Sequence, residues 1–259
     1  MRLIYPADTF NPKVVDEIYA DEHASAHLLG VPVSIFNVET FQSGTFKAQP
    51  AIQNGESVLL RSWMMVPNDY ARLHEEVVGK GGHPITDVGS YVLCHHLPNW
   101  YPQLREFTAE TRIYSETDDI EGDLRTSGWN GCFLKDYVKS LSTDGGSMVK
   151  DLATIPTLIN KMRKYRGQIE GGLCARRIEQ YDETTERRYF VWNGVAHSDD
   201  KNVPEIVQEA ARRISSPFFT VDVAYRSDGV QRIIELGDGQ VSDRKHWSNR
   251  ALLSALTSN

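Results

Sequence analysis

The chain has little cysteine, three residues in 259 (Cys94, Cys132 and Cys174), and no C-x-x-C pair among them. That excludes a zinc cage and a disulfide framework and favours a reducing compartment. It has no apolar run near the ~18 residues that a membrane-spanning helix needs. The apolar start, residues 2 to 5, is stopped by Pro6 and Asp8, too soon for a secretory h-region, so a cytoplasmic location is expected. There is no excess of basic charge: Lys+Arg number 28 against 35 Asp+Glu, a net charge of −7. A general nucleic-acid-coating role is therefore excluded, although local cation clusters can still bind a phosphorylated ligand. Internal repeats, low-complexity segments and the Walker A pattern are absent as well. What is present is the composition of a soluble globular protein, 40% hydrophobic and 24% charged, with enough chain for one large domain or two packed ones.

Apolar periodicity places short strands at residues 2–5, 31–38 and 57–61, with helices at 12–29 and 69–78, the first closing on Gly30 and the second on Gly79. Strands alternating with helices predict a small α/β layer. From Tyr91 to Glu110 the sequence turns aromatic and proline-containing, which reads as a connector with a helix after Pro102. Longer strands of antiparallel character follow at 132–139, 173–180, 187–192, 218–225 and 230–236, separated by helices at 156–165 and 204–214 that open on proline. Residues 115–130 form the longest stretch without a pattern. The fold class is α/β (α+β), with a first domain over 1–92 and a second over 93–259.

The segment 218–240, FFTVDVAYRSDGVQRIIELGDGQ, carries the clearest chemistry. Asp228-Gly229 between two β-rich runs signals a two-residue type I′ hairpin, because that turn needs φ > 0 at both central positions. With Ser227 facing Val230, Asp222 falls opposite Glu235; with the turn moved back one residue the two become diagonal neighbours on one face. Like charges so placed destabilise a ladder unless something compensates, and a Mg²⁺ ion held by two carboxylates would do so. Asp238 could add a third oxygen.

A second segment, CFLKDYVKSLSTDGGSMVKD at 132–151, sets Lys135 and Lys139 on one face of a strand ahead of a loop of small residues. Gly145, Gly146 and Ser147 in that loop let backbone N–H groups cradle phosphate oxygens. Cations for phosphate and carboxylates for magnesium are the two halves of a nucleotide-triphosphate site. His95-His96, read as strand neighbours facing opposite ways, carries no shared metal.

FLKDYVKSL at 133–141, the stretch ETTERRYFVWNG around 183–194, and the 218–240 hairpin resemble the ATP-grasp superfamily, and within it the R2K-type proteins of phages and bacteria. The resemblance implies an ATP-grasp fold over about 90–245, with 1–92 as the pre-grasp domain. It further implies that Lys135 reaches the α/β phosphates, with Lys139 as partner or substrate contact. By the same likeness, Glu179 sits in a hinge strand that holds the adenine edge, Glu186 meets the ribose, and Arg188 lies near the transferred phosphate. Asp222 and Glu235 become the magnesium ligands. The superfamily's E-x-N ending is replaced here by Glu235-Leu236-Gly237. Arg61, at the end of a strand, is a candidate for a substrate carboxylate.

The implied activity is an ATP- and Mg²⁺-dependent carboxylate–amine ligase working through an acyl phosphate, on a small-molecule, peptide or protein substrate. Three rivals stay open at this stage: a kinase on the same fold, a metal-dependent nuclease, and a non-catalytic nucleotide-binding module.

Overall fold

The structure, a computed structural model, describes residues 1–138 and 147–258. The chain divides into two compact units. One comprises 1–92, 188–221 and 237–259, the other 93–187 and 222–236. This interleaving differs from the sequential domains expected above, because three long strands near the C-terminus cross from one unit to the other.

In the first unit a five-stranded sheet forms from β1 (Arg2–Pro6), β2 (Val33–Phe36), β3 (Ala48–Gln49), β4 (Ser57–Leu60) and β5 (His83–Pro84), in the order β3-β2-β1-β4-β5. β1 pairs in parallel with β2 and β4, and β4 with β5; only β3 is antiparallel. All five residues of β1 are buried, as a central parallel strand requires. Helices α1 (Ala20–Leu28), α2 (Val38–Gln42) and α3 (Pro67–Gly79) connect these strands, and α4 (Val88–His95) follows β5. α1 starts later than expected, behind a short 3-10 turn at Glu17–Tyr19 capped by the Asp16 side chain, and is followed by Gly30 at φ 73°.

In the second unit, α5 (Leu97–Leu104) contains Pro102 instead of following it, having already used Pro98 in its first turn. His95 and His96 thus stand at the end of α4 and ahead of α5, not on a strand, and His96 Nε2 lies 3.0 Å from Glu170 Oε1. Strand β6 (Thr111–Tyr114) is followed by α6 (Ile120–Thr126), which occupies the stretch that had shown no pattern. Asp119 caps it by accepting from Gly122 N, and Ile120 and Leu124 bury its inner side. Then come β7 (Cys132–Asp136), β8 (Met148–Val149), α7 (Ile155–Arg166) and β9 (Leu173–Arg176), giving an antiparallel sheet in the order β6-β9-β7-β8. Leu134, Leu173, Ala175 and Tyr114 form one core with Leu124 of α6 and Ile155, Ile159 and Met162 of α7. That face of the sheet is closed by helices, which leaves the other for a ligand.

The last sheet runs β11-β10-β12-β13, with β10 (Tyr181–Trp192), β11 (Val195–His197), β12 (Phe218–Arg226) and β13 (Gln231–Asp238). α8 (Glu205–Arg213) lies between β11 and β12, and α9 (Asn249–Thr257), capped by Ser248, ends the chain. Phe190, Trp192, Phe218, Trp247, Leu252 and Leu256 join Leu3, Tyr5 and Leu59 in the core of the first unit. Among the described residues no helix is long and apolar enough to cross a membrane.

Candidate nucleotide site

Strand alternation sets the site. In β7, Leu134 points into the helix-backed core, so Phe133 and Lys135 point to the opposite face. Their partners across the ladder are Arg176 and Cys174 of β9, on the same face. Lys135 is only 3% exposed, and its Nζ donates to Glu235 Oε1 at 2.7 Å. Cys174 is equally enclosed, and burial pushes its thiol up to about 12, a value the charges of Lys135 and Arg176 oppose. It is a packing residue, not a nucleophile.

This face forms one wall of a cavity of about 360 Å³, within the range of small-ligand sites. Phe133, Met148, Ile178, Ala109, Ala224 and Ile234 supply apolar surface. Lys135, Arg176 and Arg177 bring positive charge, and Glu179, Glu183, Glu186 and Glu235 negative charge. Glu179 is held in place by Tyr181 Oη at 2.5 Å, Arg226 Nη1 at 3.1 Å and Arg232 Nε at 3.2 Å. Burial raises its pKa, but the hydrogen bonds from Tyr181 and Arg232 and the charges of Arg232 and Arg226 outweigh it, so its carboxyl titrates below the usual range.

The hairpin of β12 and β13 differs from expectation at its turn. Gly229 N donates to Arg226 O and Arg226 N to Val230 O, and only Gly229 has positive φ, at 83°. The loop is therefore three residues with a glycine bulge, the next commonest hairpin after the two-residue form. Counting from Arg226–Val230 sets Ile234 opposite Asp222. At the far end Gly239 N donates to Phe218 O, and counting from there sets Glu235 opposite Asp222. β13 thus carries one extra residue between these anchors. Ile234 and Glu235, neighbours that an unbroken strand would turn to opposite sides, both line the cavity. Asp222 is buried and shares a strand face with the cavity-lining Ala224.

The model of the ATP-grasp domain, R2K clade family 3, matches residues 95–256. The chain belongs to this ATP-grasp family. Solved ATP-grasp structures share the fold at low identity. A RimK domain protein from Sphaerobacter thermophilus is 12% identical with TM-score 0.65, covering 99% of this chain and 97% of its own. The D-alanine–D-alanine ligase of Coxiella burnetii is 11% identical with TM-score 0.62, covering 94% and 87%. N5-carboxyaminoimidazole synthase of Aspergillus clavatus, solved with ADP and 5-aminoimidazole ribonucleotide, is 14% identical with TM-score 0.63, covering 98% and 76%. No curated protein sequence matches the chain.

Of the residues singled out by the ATP-grasp reading of the sequence, Lys135, Glu179, Glu186 and Glu235 line one cavity, and Asp222 does not line it. Lys139, Gly145 and Gly146 lie outside the described residues. Ser147 is buried, and its carbonyl accepts from Leu134 N. Arg188 does not line the cavity; its Nη1 donates to Asp243 Oδ1 at 2.6 Å and to Asp243 O.

Two expectations are corrected. Arg61 is 1% exposed and is no carboxylate receptor: Nε and Nη2 bind the two oxygens of Glu22, and Nη1 donates to the carbonyls of Gly239, Gln240 and Ser242. Asp238 is fully buried and does not line the cavity; its Oδ1 accepts from Gln240 N and Nε2, and its Oδ2 has no hydrogen-bond partner among the described residues. The Asn position of E-x-N is no substitute, because a Cβ on Gly237 would lie 2.9 Å from Ser242 Oγ and 3.0 Å from Thr220 Oγ1. Among the described residues no group of three or more His, Cys, Asp or Glu is arranged to hold a metal. The two oxygen donors Asp222 and Glu235 nevertheless suit Mg²⁺, which takes one or two carboxylates and completes its shell with water and phosphate. Sequence reasoning missed Arg176 and the apolar walls. The Arg176-Arg177 doublet closing an apolar strand was the available signal.

Proposed function

We propose that this chain is an ATP- and Mg²⁺-dependent carboxylate–amine ligase that activates its acid substrate as an acyl phosphate. The observation that carries the reading is the enclosed Lys135 paired with Glu235 at the wall of an apolar-lined cavity, with Asp222 facing the same strand segment. The adenine ring packs among Phe133, Met148 and Ile178, and the backbone around Glu179 meets its polar edge. Glu183 and Glu186 accept from the ribose hydroxyls. Lys135 exchanges Glu235 for phosphate oxygens, and Asp222 and Glu235 hold the magnesium ion. That ion, when bound, supplies the positive charge that phosphoryl transfer needs. Lys135 adds a fixed cation that requires no reorganisation during the reaction, Lys139 and the loop glycines Gly145 and Gly146 cradle the phosphates, and Arg188 meets the transferred phosphoryl group once it leaves Asp243. The protein needs no nucleophile of its own: the substrate carboxylate attacks the γ-phosphorus and ADP leaves. An amine then attacks the acyl carbon and releases phosphate.

Calorimetry with ATP, with and without Mg²⁺, on wild type and Asp222→Asn/Glu235→Gln tests the metal assignment. The double variant should lose the Mg²⁺ dependence of binding; unchanged binding would refute it. ADP release over a panel of acids with hydroxylamine present should yield a hydroxamate if an acyl phosphate forms. A stable phosphorylated product instead would make the protein a kinase.

A further inference from the structure

Arg176 is 8% exposed and lines the nucleotide cavity, yet neither of its hydrogen-bond acceptors is a carboxylate. Nη1 donates to Ile234 O at 2.7 Å and Nη2 to Thr108 Oγ1 at 2.7 Å, while Nε has no partner among the described residues. A buried guanidinium that hydrogen-bonds no carboxylate is costly even with the charges of Glu235 and Glu179 nearby, so stability alone is a weak reason for arginine here. Its bonds converge on one place. Thr108 Oγ1 donates in turn to Ile233 O at 2.7 Å, and Ile233 N to Phe107 O at 2.8 Å. Ile233 and Ile234 directly precede Glu235, where β13 holds its extra residue. A bulge leaves ladder groups unpaired and re-aims the side chains beside it. Arg176 and Thr108 take up two such carbonyls, on Ile234 and Ile233.

We infer that Arg176 is a positioning residue: by binding the Ile234 carbonyl it fixes the extra residue of β13 and so keeps the Glu235 carboxylate turned into the cavity toward Lys135. The inference rests on the proposed role of Glu235 in holding magnesium, and goes beyond it by naming what aims that ligand. Methionine in place of Arg176 keeps the volume and loses both bonds. Lysine keeps one bond and the charge.

The test measures ADP binding as Mg²⁺ is titrated, adenosine binding without metal, and deuterium exchange of the 231–238 segment in metal-free protein. Arg176→Met should raise the Mg²⁺ concentration at half-saturation tenfold or more, weaken adenosine binding by a clearly smaller factor, and speed exchange around 233–236. Arg176→Lys should recover part of the Mg²⁺ response. Thr108→Val, a milder change, should shift it in the same direction by about threefold and serves if the arginine variants fold poorly. An unchanged Mg²⁺ response, or parallel losses of adenosine and Mg²⁺ binding, would overturn the inference. Wild type binding ADP with no Mg²⁺ dependence would overturn the magnesium reading instead, and faster exchange in Arg176→Met would still support the positioning role.

Discussion

The Lys135–Glu235 pair is asymmetric, and the asymmetry can be measured. The lysine side chain is 3% exposed and the glutamate side chain 43%, at 2.7 Å. In Glu235→Gln the ammonium stays buried and keeps only a neutral amide, which should cost ~1.5–3 kcal/mol, the worth of a hydrogen bond to a charged group. In Lys135→Met the glutamate turns to water and an apolar chain fills the lysine's place, so the cost should stay within ~1 kcal/mol. The double variant should resemble Lys135→Met alone, giving a coupling as large as the Glu235→Gln cost itself, ~1.5–3 kcal/mol. Urea denaturation without metal or nucleotide measures all four proteins. At roughly 2–4 °C per kcal/mol, Glu235→Gln should melt ~3–12 °C lower. Lys135→Met should still lose ATP affinity by about tenfold or more, having lost a charged donor to phosphate. If Lys135→Met is the more destabilising change, or if the two costs simply add, Lys135 is a structural residue and the cavity loses its phosphate-binding cation.

Glu22→Gln should cost ~3–5 kcal/mol in denaturation, since it strands the enclosed Arg61 guanidinium. Burial opposes ionisation of Glu22, but Arg61's charge and hydrogen bonds and the charge of Arg244 prevail, so its carboxyl lies below its ordinary 4.5. The wild type therefore loses stability as pH falls below about 4.5, and the variant should lack that loss. Asp238 is the reverse case: burial raises its carboxyl from 3.8 to about 7, so stability falls as pH rises through that window, with a slope approaching ~1.4 kcal/mol per pH unit. Asp238→Asn should flatten it, as urea midpoints from pH 4 to 8 will show. Gly237→Asn, which restores E-x-N, should destabilise by ~1–3 kcal/mol through crowding of Ser242 and Thr220, with no gain in Mg²⁺ affinity by calorimetry.

Which strands carry the candidate residues was legible because strand period two is visible in a sequence. The strand-like run from 132 placed Lys135 on a strand, and Asp-Gly located the hairpin that carries Asp222 and Glu235. The turn type was not legible, because Asp-Gly suits both a two-residue loop and a three-residue one closed by a left-handed glycine. The extra residue in β13 was invisible too: QRIIELGD has no glycine at the bulge itself, and the acceptors that stabilise it come from Thr108 and Arg176, far away in sequence. Helix α6 was hidden for another reason. It shows two buried residues, Ile120 and Leu124, too few for an apolar stripe, and it is specified instead by the Asp119 cap and by packing on the sheet.

Arginine is where sequence type says least about role. Arg61 and Arg176 stand at strand ends and Arg188 inside β10, and each could be read as an anion receptor. Donor saturation separates them. Arg61 spends its guanidinium on Glu22 and three carbonyls, so a substrate would have to displace a buried ion pair to reach it. Arg188 is tied to Asp243, whose own side chain is largely exposed, so that pair is cheap to exchange for a phosphate. Arg176 holds backbone and hydroxyl oxygens at the cavity wall, with the charges of Glu235 and Glu179 near it but hydrogen-bonded to neither. Replacing each in turn by lysine should therefore separate the three: folding stability falls most at Arg61, the Mg²⁺ response of nucleotide binding shifts at Arg176, and turnover falls at Arg188 with ADP affinity kept. Equal effects of all three on stability would show that donor saturation does not decide their roles.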